Sequence, residues 1–153
     1  MSKIRVMPSH KEIVTEPLQR FRKVFDAVER PKGGLPTMPT KVTTLASDEL
    51  GDMMAKYVAW REFTEDCHAE ACATYAQVKS QYDLASDKAL LSSEASTVTE
   101  RKAEAKNDPK VARLYKDLSD AEIYCDLLGK KLESFTNVLA MLSRELTRRG
   151  ISQ

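Results

Sequence analysis

From Val111 to Leu146 an apolar residue returns at every third or fourth position: Val111, Leu114, Leu118, Ala121, Cys125, Leu128, Leu132, Phe135, Leu139, Leu142 and Leu146. The steps alternate three and four over five heptads, the period of a left-handed coiled-coil seam. At 1.5 Å per residue such a seam runs about 54 Å and needs a partner of equal length. A second run supplies one: Leu50, Met53, Tyr57, Trp60, Thr64, Cys67, Ala71, Thr74, Val78, Gln81 and Ala85. It is the weaker seam, because Thr64, Thr74 and Gln81 sit in it, but Met54, Phe63, Tyr75 and Tyr82 widen it. Two matched seams predict an all-α fold, a long antiparallel, coiled-coil-like helical hairpin over residues 45–153. Small residues at Cys67, Ala71 and Thr74 would let the two helices approach closely.

Local punctuation places the ends of these helices. Ser47-Asp48-Glu49 offers a capping residue followed by two acids at the positive helix end. Leu91 to Val98 is rich in Ser and Thr and lacks helical period, so it reads as the hairpin turn. Thr97 with Glu100 three residues on has the spacing of a capping box, predicting a short helix from about Val98 to Lys106. Asp108 can then cap, and Pro109 can occupy the first position of the long second helix. Gly150, after Arg148 and Arg149, is placed to end that helix as a C-terminal cap.

Residues 1–44 form a separate arm. Thr15-Glu16-Pro17 can open a helix in which Leu18, Phe21, Val24, Phe25 and Val28 share one face. Pro31-Lys32-Gly33-Gly34-Leu35-Pro36 ends it, and Pro39 keeps the chain extended. About four helical turns are not stable alone. Phe21 and Phe25 need burial, which points the arm toward a neighbouring subunit.

Composition narrows the function classes. The chain has 153 residues, 42% hydrophobic and 31% charged, with only 7% aromatic. No apolar run approaches the roughly 20 residues that span a bilayer, and the N-terminus lacks a signal-like apolar stretch. Three cysteines without metal-like spacing predict reduced thiols, hence a cytoplasmic setting. Net charge is +1 but unevenly spread. Residues 1–44 carry nine Lys/Arg against four acids, residues 45–91 four against nine, and residues 92–116 six against four.

Chemistry finds few candidates. His10 and His68 lie in no nucleophile or metal motif, and Cys67 and His68 are neighbours about 100° apart on a helix. Cys67 and Cys125 occupy seam positions and read as small core hydrophobes. Glu65-x-x-His68 occurs once, without the second copy that a di-metal bundle requires, so no metal or cofactor is predicted. Glu62, Asp66 and Glu70 step by four and form an acidic, solvated or partner-facing stripe. No Gly-rich phosphate loop exists, and the chain is read as a non-enzyme. Tyr57 and Trp60 could stack on bases, but their seam positions predict burial.

The cations near the turn carry the functional reading. Arg101, Lys102, Lys106, Lys110, Arg113 and Lys116 crowd the returning segment, and Lys79 and Lys88 approach the same turn. Their use would be sequence-independent neutralisation of phosphate. Pairing with Glu100, Glu104 and Asp108 on an exposed helix surface explains the same pattern equally well.

Tyr57-Val58-Ala59-Trp60 near the start of a long helix is followed by Glu100-Arg101-Lys102-Ala103-Glu104-Ala105-Lys106, then Asp108-x-x-Val111, Glu133 and the ending Leu142-Ser143-Arg144. Over residues 50–149 this order and spacing resembles the UvsY-like recombination mediators of tailed phages. The resemblance implies a helical homo-oligomer, a ring of six or seven subunits, that binds single-stranded DNA. It also implies partnership with a single-strand DNA-binding protein and a RecA-type recombinase, in the cytoplasm of the host bacterium. The positions that match the family's expected DNA contacts are Lys79, Lys88, Arg101, Lys102 and Lys106, and Lys110 and Arg113 of the same cation cluster complete the candidate site. Gln81 departs from the pattern, where a cation is expected. The rival reading is a phage coiled-coil scaffold or protein-interaction module, for assembly or inhibition of host defence, without DNA binding.

Overall fold

The computed structural model describes residues 16–151. Among them the fold is all-α: α1 (Glu16–Arg22), a single 3-10 turn at Val42–Thr44, α2 (Ser47–Ser92), α3 (Val98–Asn107) and α4 (Pro109–Ile151). α2 and α4 are the two arms of the predicted helical hairpin, with α1 as the short N-terminal helix. No described helix is long and apolar enough to cross a membrane. The described residues divide into two compact units: residues 27–69 with 124–151, and residues 16–26 with 70–123.

The first of these units holds the apolar core. Leu50, Phe135 and Leu142 are fully buried, and Tyr57 packs edge-on against Phe135 at a ring distance of 5.9 Å. Met53, Trp60, Leu139 and Leu146 close around them. Burying a side chain of this size stabilises by about 1.5–3 kcal/mol, so these few positions dominate the unit. Tyr57 meets its polar requirement by donating its hydroxyl to the Pro36 carbonyl at 2.9 Å. Burial pushes its pKa up. Thr64, buried in the weaker seam, donates to the Trp60 carbonyl one turn back at 2.7 Å, which satisfies its hydroxyl. Trp60 is half-buried, and the Arg30 guanidinium lies over its ring at 5.5 Å. Both seam aromatics are therefore structural, as their spacing predicts.

A clasp closes this unit. Arg148 grips Glu145 with two hydrogen bonds of 2.9 and 2.7 Å, and Arg149 adds a third at 2.9 Å. Arg149 also donates to the Leu45 carbonyl at 2.7 Å and reaches the Val42 and Thr43 carbonyls at 3.4 Å. These hydrogen bonds from Arg148, then Arg149, hold the Glu145 carboxyl at a pKa of about 2. Gly150 is not the helix stop that its position suggests: α4 continues to Ile151, and only Gly33 has positive φ among the described residues. Gly33, at φ +84°, makes the bend between the two prolines that other residues would adopt only with strain.

The other unit contains the second half of α2, the turn, α3 and the start of α4. Ala71, Val78, Ala105 and Val111 are its buried apolar residues. Gln81, the polar member of the first seam, is exposed. α1 belongs here, but it spans two turns rather than four; its expected cap, Thr15, lies outside the described residues, as does His10. Arg22 pairs with Glu70 at 2.8 Å, so the arm docks on its own chain's acidic stripe. Phe21 and Phe25 touch each other but stay 40% and 57% exposed. In the core unit the Val28 amide donates to the Asp66 carboxylate at 3.2 Å.

Two further expectations change. Ser47 lies inside the first turn of α2, and Glu49 reaches back to the Ala46 amide at 2.8 Å as the actual N-terminal contact. Cys72 and Cys125 are half-cystines rather than reduced thiols, while Cys67 keeps its thiol. Spacing along one chain does not reveal which thiols a fold brings within bonding reach.

Candidate nucleic-acid interface

All seven candidate DNA contacts fall in the unit that contains the turn, and all are exposed. The local chain geometry is as the sequence predicts. Thr97 caps α3: its hydroxyl accepts from the Glu100 amide at 3.2 Å, and the Glu100 carboxylate accepts from the Thr97 amide at 3.3 Å. Asp108 caps α4 in turn, accepting from the Lys110 and Val111 amides at 2.8 and 3.1 Å. Two caps one short helix apart force the chain to reverse within few residues, and they present α3 with Arg101, Lys102 and Lys106 exposed upon it.

The caps also settle the charge balance. Glu100 receives Thr97 and Ser96, and these hydrogen bonds, Thr97's first, hold its carboxyl below the ordinary range. Glu104 accepts from the Ser93 hydroxyl, and Asp108 is taken by backbone amides. Glu100, Glu104 and Asp108 are therefore each engaged by neutral donors. Among the described residues Lys79, Lys88, Lys102, Lys106, Lys110 and Arg113 form no ion pair. Arg101 differs, since its Nε donates to the Ala95 carbonyl at 2.7 Å and stiffens the turn. It is partly a structural residue.

Lys88 and Lys110 are brought together. They line a shallow groove of about 210 Å³ with Gln81, Leu84, Ala85 and Leu114. A second hollow of about 180 Å³ shares both lysines and adds Ala89, Ser92 and Asp108. Arg113 is three residues beyond Lys110, about 60° around α4, on the same flank. Lys79 is not part of this groove: nine residues before Lys88, it lies about half a turn around α2. The seven cations thus cover two flanks. A groove with two ammonium groups over an apolar floor can hold phosphate by charge, without reading bases.

One feature of this unit has no counterpart among the sequence-predicted contacts. Tyr115 is 62% exposed, and its ring meets that of Tyr82 at 5.9 Å and 51°. Its position beside seam residue Leu114 makes it look like core; the available signal was that it falls one step off the 3-4 alternation. Comparison with protein-family models, with curated protein sequences and with solved structures finds no match.

Proposed function

We propose that this chain is a single-stranded DNA-binding recombination mediator that holds phosphate at the turn and helps load a RecA-type recombinase. One observation carries the binding step: the cations of the turn are exposed and form no ion pairs among the described residues, and Glu100, Glu104 and Asp108 beside them are occupied by hydroxyls and backbone amides. Unpaired surface cations lose no partner when they meet phosphate, and they release counterions from the strand. The recombinase and single-strand DNA-binding protein partners, and a ring of six or seven subunits in the host bacterial cytoplasm, rest on the resemblance to UvsY-like mediators. In such a ring each weak patch would be repeated, raising the effective concentration of the next contact.

Fluorescence anisotropy with a labelled oligonucleotide tests the binding step. Submicromolar affinity is expected at low salt, falling steeply as salt is added. Replacing Arg101, Lys102 and Lys106 together with Ala should flatten the log–log salt dependence by about two, at roughly 0.7 per lost phosphate contact. Helicity and oligomer size should not change. Absent or salt-insensitive binding by the intact chain overturns the reading in favour of a scaffold. Because Cys72 and Cys125 are half-cystines and a cytoplasm reduces disulfides, the titration is run with and without reductant. Co-precipitation with a recombinase then separates loading from simple coating.

A further inference from the structure

We infer that Tyr115, edged by Tyr82, is a stacking platform for the unpaired bases of a single strand, with Lys79 and Lys116 as its phosphate partners. This rests on the single-strand binding proposed above and adds a contact of a different kind, to bases.

Tyr115 keeps 62% of its surface open although it follows a seam leucine. Tyr82 is half-buried, and its ring lies against one side of Tyr115 at a centroid distance of 5.9 Å. That contact steadies the exposed ring. Among the described residues neither phenol hydroxyl has a hydrogen-bond partner, so polar tethering does not explain the pair.

The surroundings decide the class of ligand. One turn away on α4, Tyr115 has Ala112 and Ser119 towards its exposed side and the buried or half-buried seam residues Val111 and Leu118 towards the helix pair. Lys79 is three residues before Tyr82 and on the same flank of α2, and Lys116 follows Tyr115 directly. Both are exposed and form no ion pair among the described residues. Asp83, one turn beyond Lys79 on the same flank of α2, is exposed and forms no ion pair with it. An aromatic face bounded by cations suits a base and its adjoining phosphates, and it tolerates any base because every base has a π face. Tyr115 is five residues from Lys110, about 140° around α4, so this contact is separate from the lysine groove.

The test compares two oligonucleotides of equal length, one of thymidines and one in which every site is abasic. Their phosphates match, and only one has bases. The wild-type chain should prefer the thymidine strand by roughly five- to a hundredfold. Tyr115→Ala should erase the preference without changing the salt dependence, and Tyr115→Phe should retain it. Lys79→Ala with Lys116→Ala should flatten the salt dependence by about 1.4 and leave the preference intact. Equal binding of both strands by wild type, or a preference surviving in a folded Tyr115→Ala variant, overturns the stacking assignment while single-strand binding stands. Binding of neither strand overturns both.

Discussion

Residues 144–149 and residues 101–113 are both rich in cations, and the structure uses them in opposite ways. Arg148 and Arg149 converge on Glu145, and Arg149 goes on to three backbone carbonyls at the entrance to α2. Lys102, Lys106 and Lys110 have Glu100, Glu104 and Asp108 close by in sequence, yet those acids accept from hydroxyls and backbone amides. The difference lies in what the neighbouring carboxylate does. Where it is open to Arg, the cations become fixings of the fold. Where hydroxyls and amides take it first, the cations face solvent and are available to a ligand.

The sharpest way to break this comparison is at Arg149. Arg149→Ala leaves the nearly buried Glu145 carboxylate with one partner fewer and removes a donor from the Val42, Thr43 and Leu45 carbonyls, of which Val42 keeps the Leu45 amide. A loss of about 1–3 kcal/mol is expected, read as a lower melting temperature by circular dichroism. Single-strand affinity should be unchanged. A DNA-binding defect equal to that of the triple Arg101, Lys102 and Lys106 variant would show that the two regions do not divide the work as argued.

Acid titration probes the same clasp more gently. The folded Glu145 carboxyl has a pKa of about 2, against an ordinary value of 4.5. Its contribution is therefore complete above about pH 4.5 and is lost as pH falls toward 2. Melting curves of wild type and Glu145→Gln should converge across that window. Parallel curves would mean that the ion pairs do not contribute.

The smallest effect is expected at the other region's cap. Thr97→Ala removes the hydroxyl that accepts from the Glu100 amide, a change of about 0.5–2 kcal/mol at a typical helix start. It also returns the Glu100 carboxyl toward its ordinary pKa, followed by its NMR titration. Single-strand affinity should fall modestly if Glu100, once released, turns to Arg101 or Lys102. Unchanged affinity would show that capping does not keep that acid from the cations.

Most of the architecture was legible because it depends on period and on local chemistry. All eleven positions of the Val111–Leu146 seam are buried or half-buried. The Thr97–Glu100 capping box and the Asp108–Pro109 start of α4 also form where they are encoded, since each needs only neighbours within four residues. The length of α1 was not legible. Its last residue, Arg22, is held by Glu70, 48 residues further along, a contact that the linear order does not show.

The site divides along the same line. Sequence alone determined that cations gather near the turn, because composition is local and the turn is signalled by Ser, Thr and Pro. It equally determined that Tyr57 and Trp60 belong to the fold. Only tertiary structure decided which cations share a groove, since that follows from the pairing of α2 with α4 and brings Lys88 to Lys110 while leaving Lys79 on the other flank. It alone set Tyr82 against Tyr115 and left the latter open. The same charged residue is a clasp in one place and an open contact in another, because its energy depends on partners that the linear order does not place.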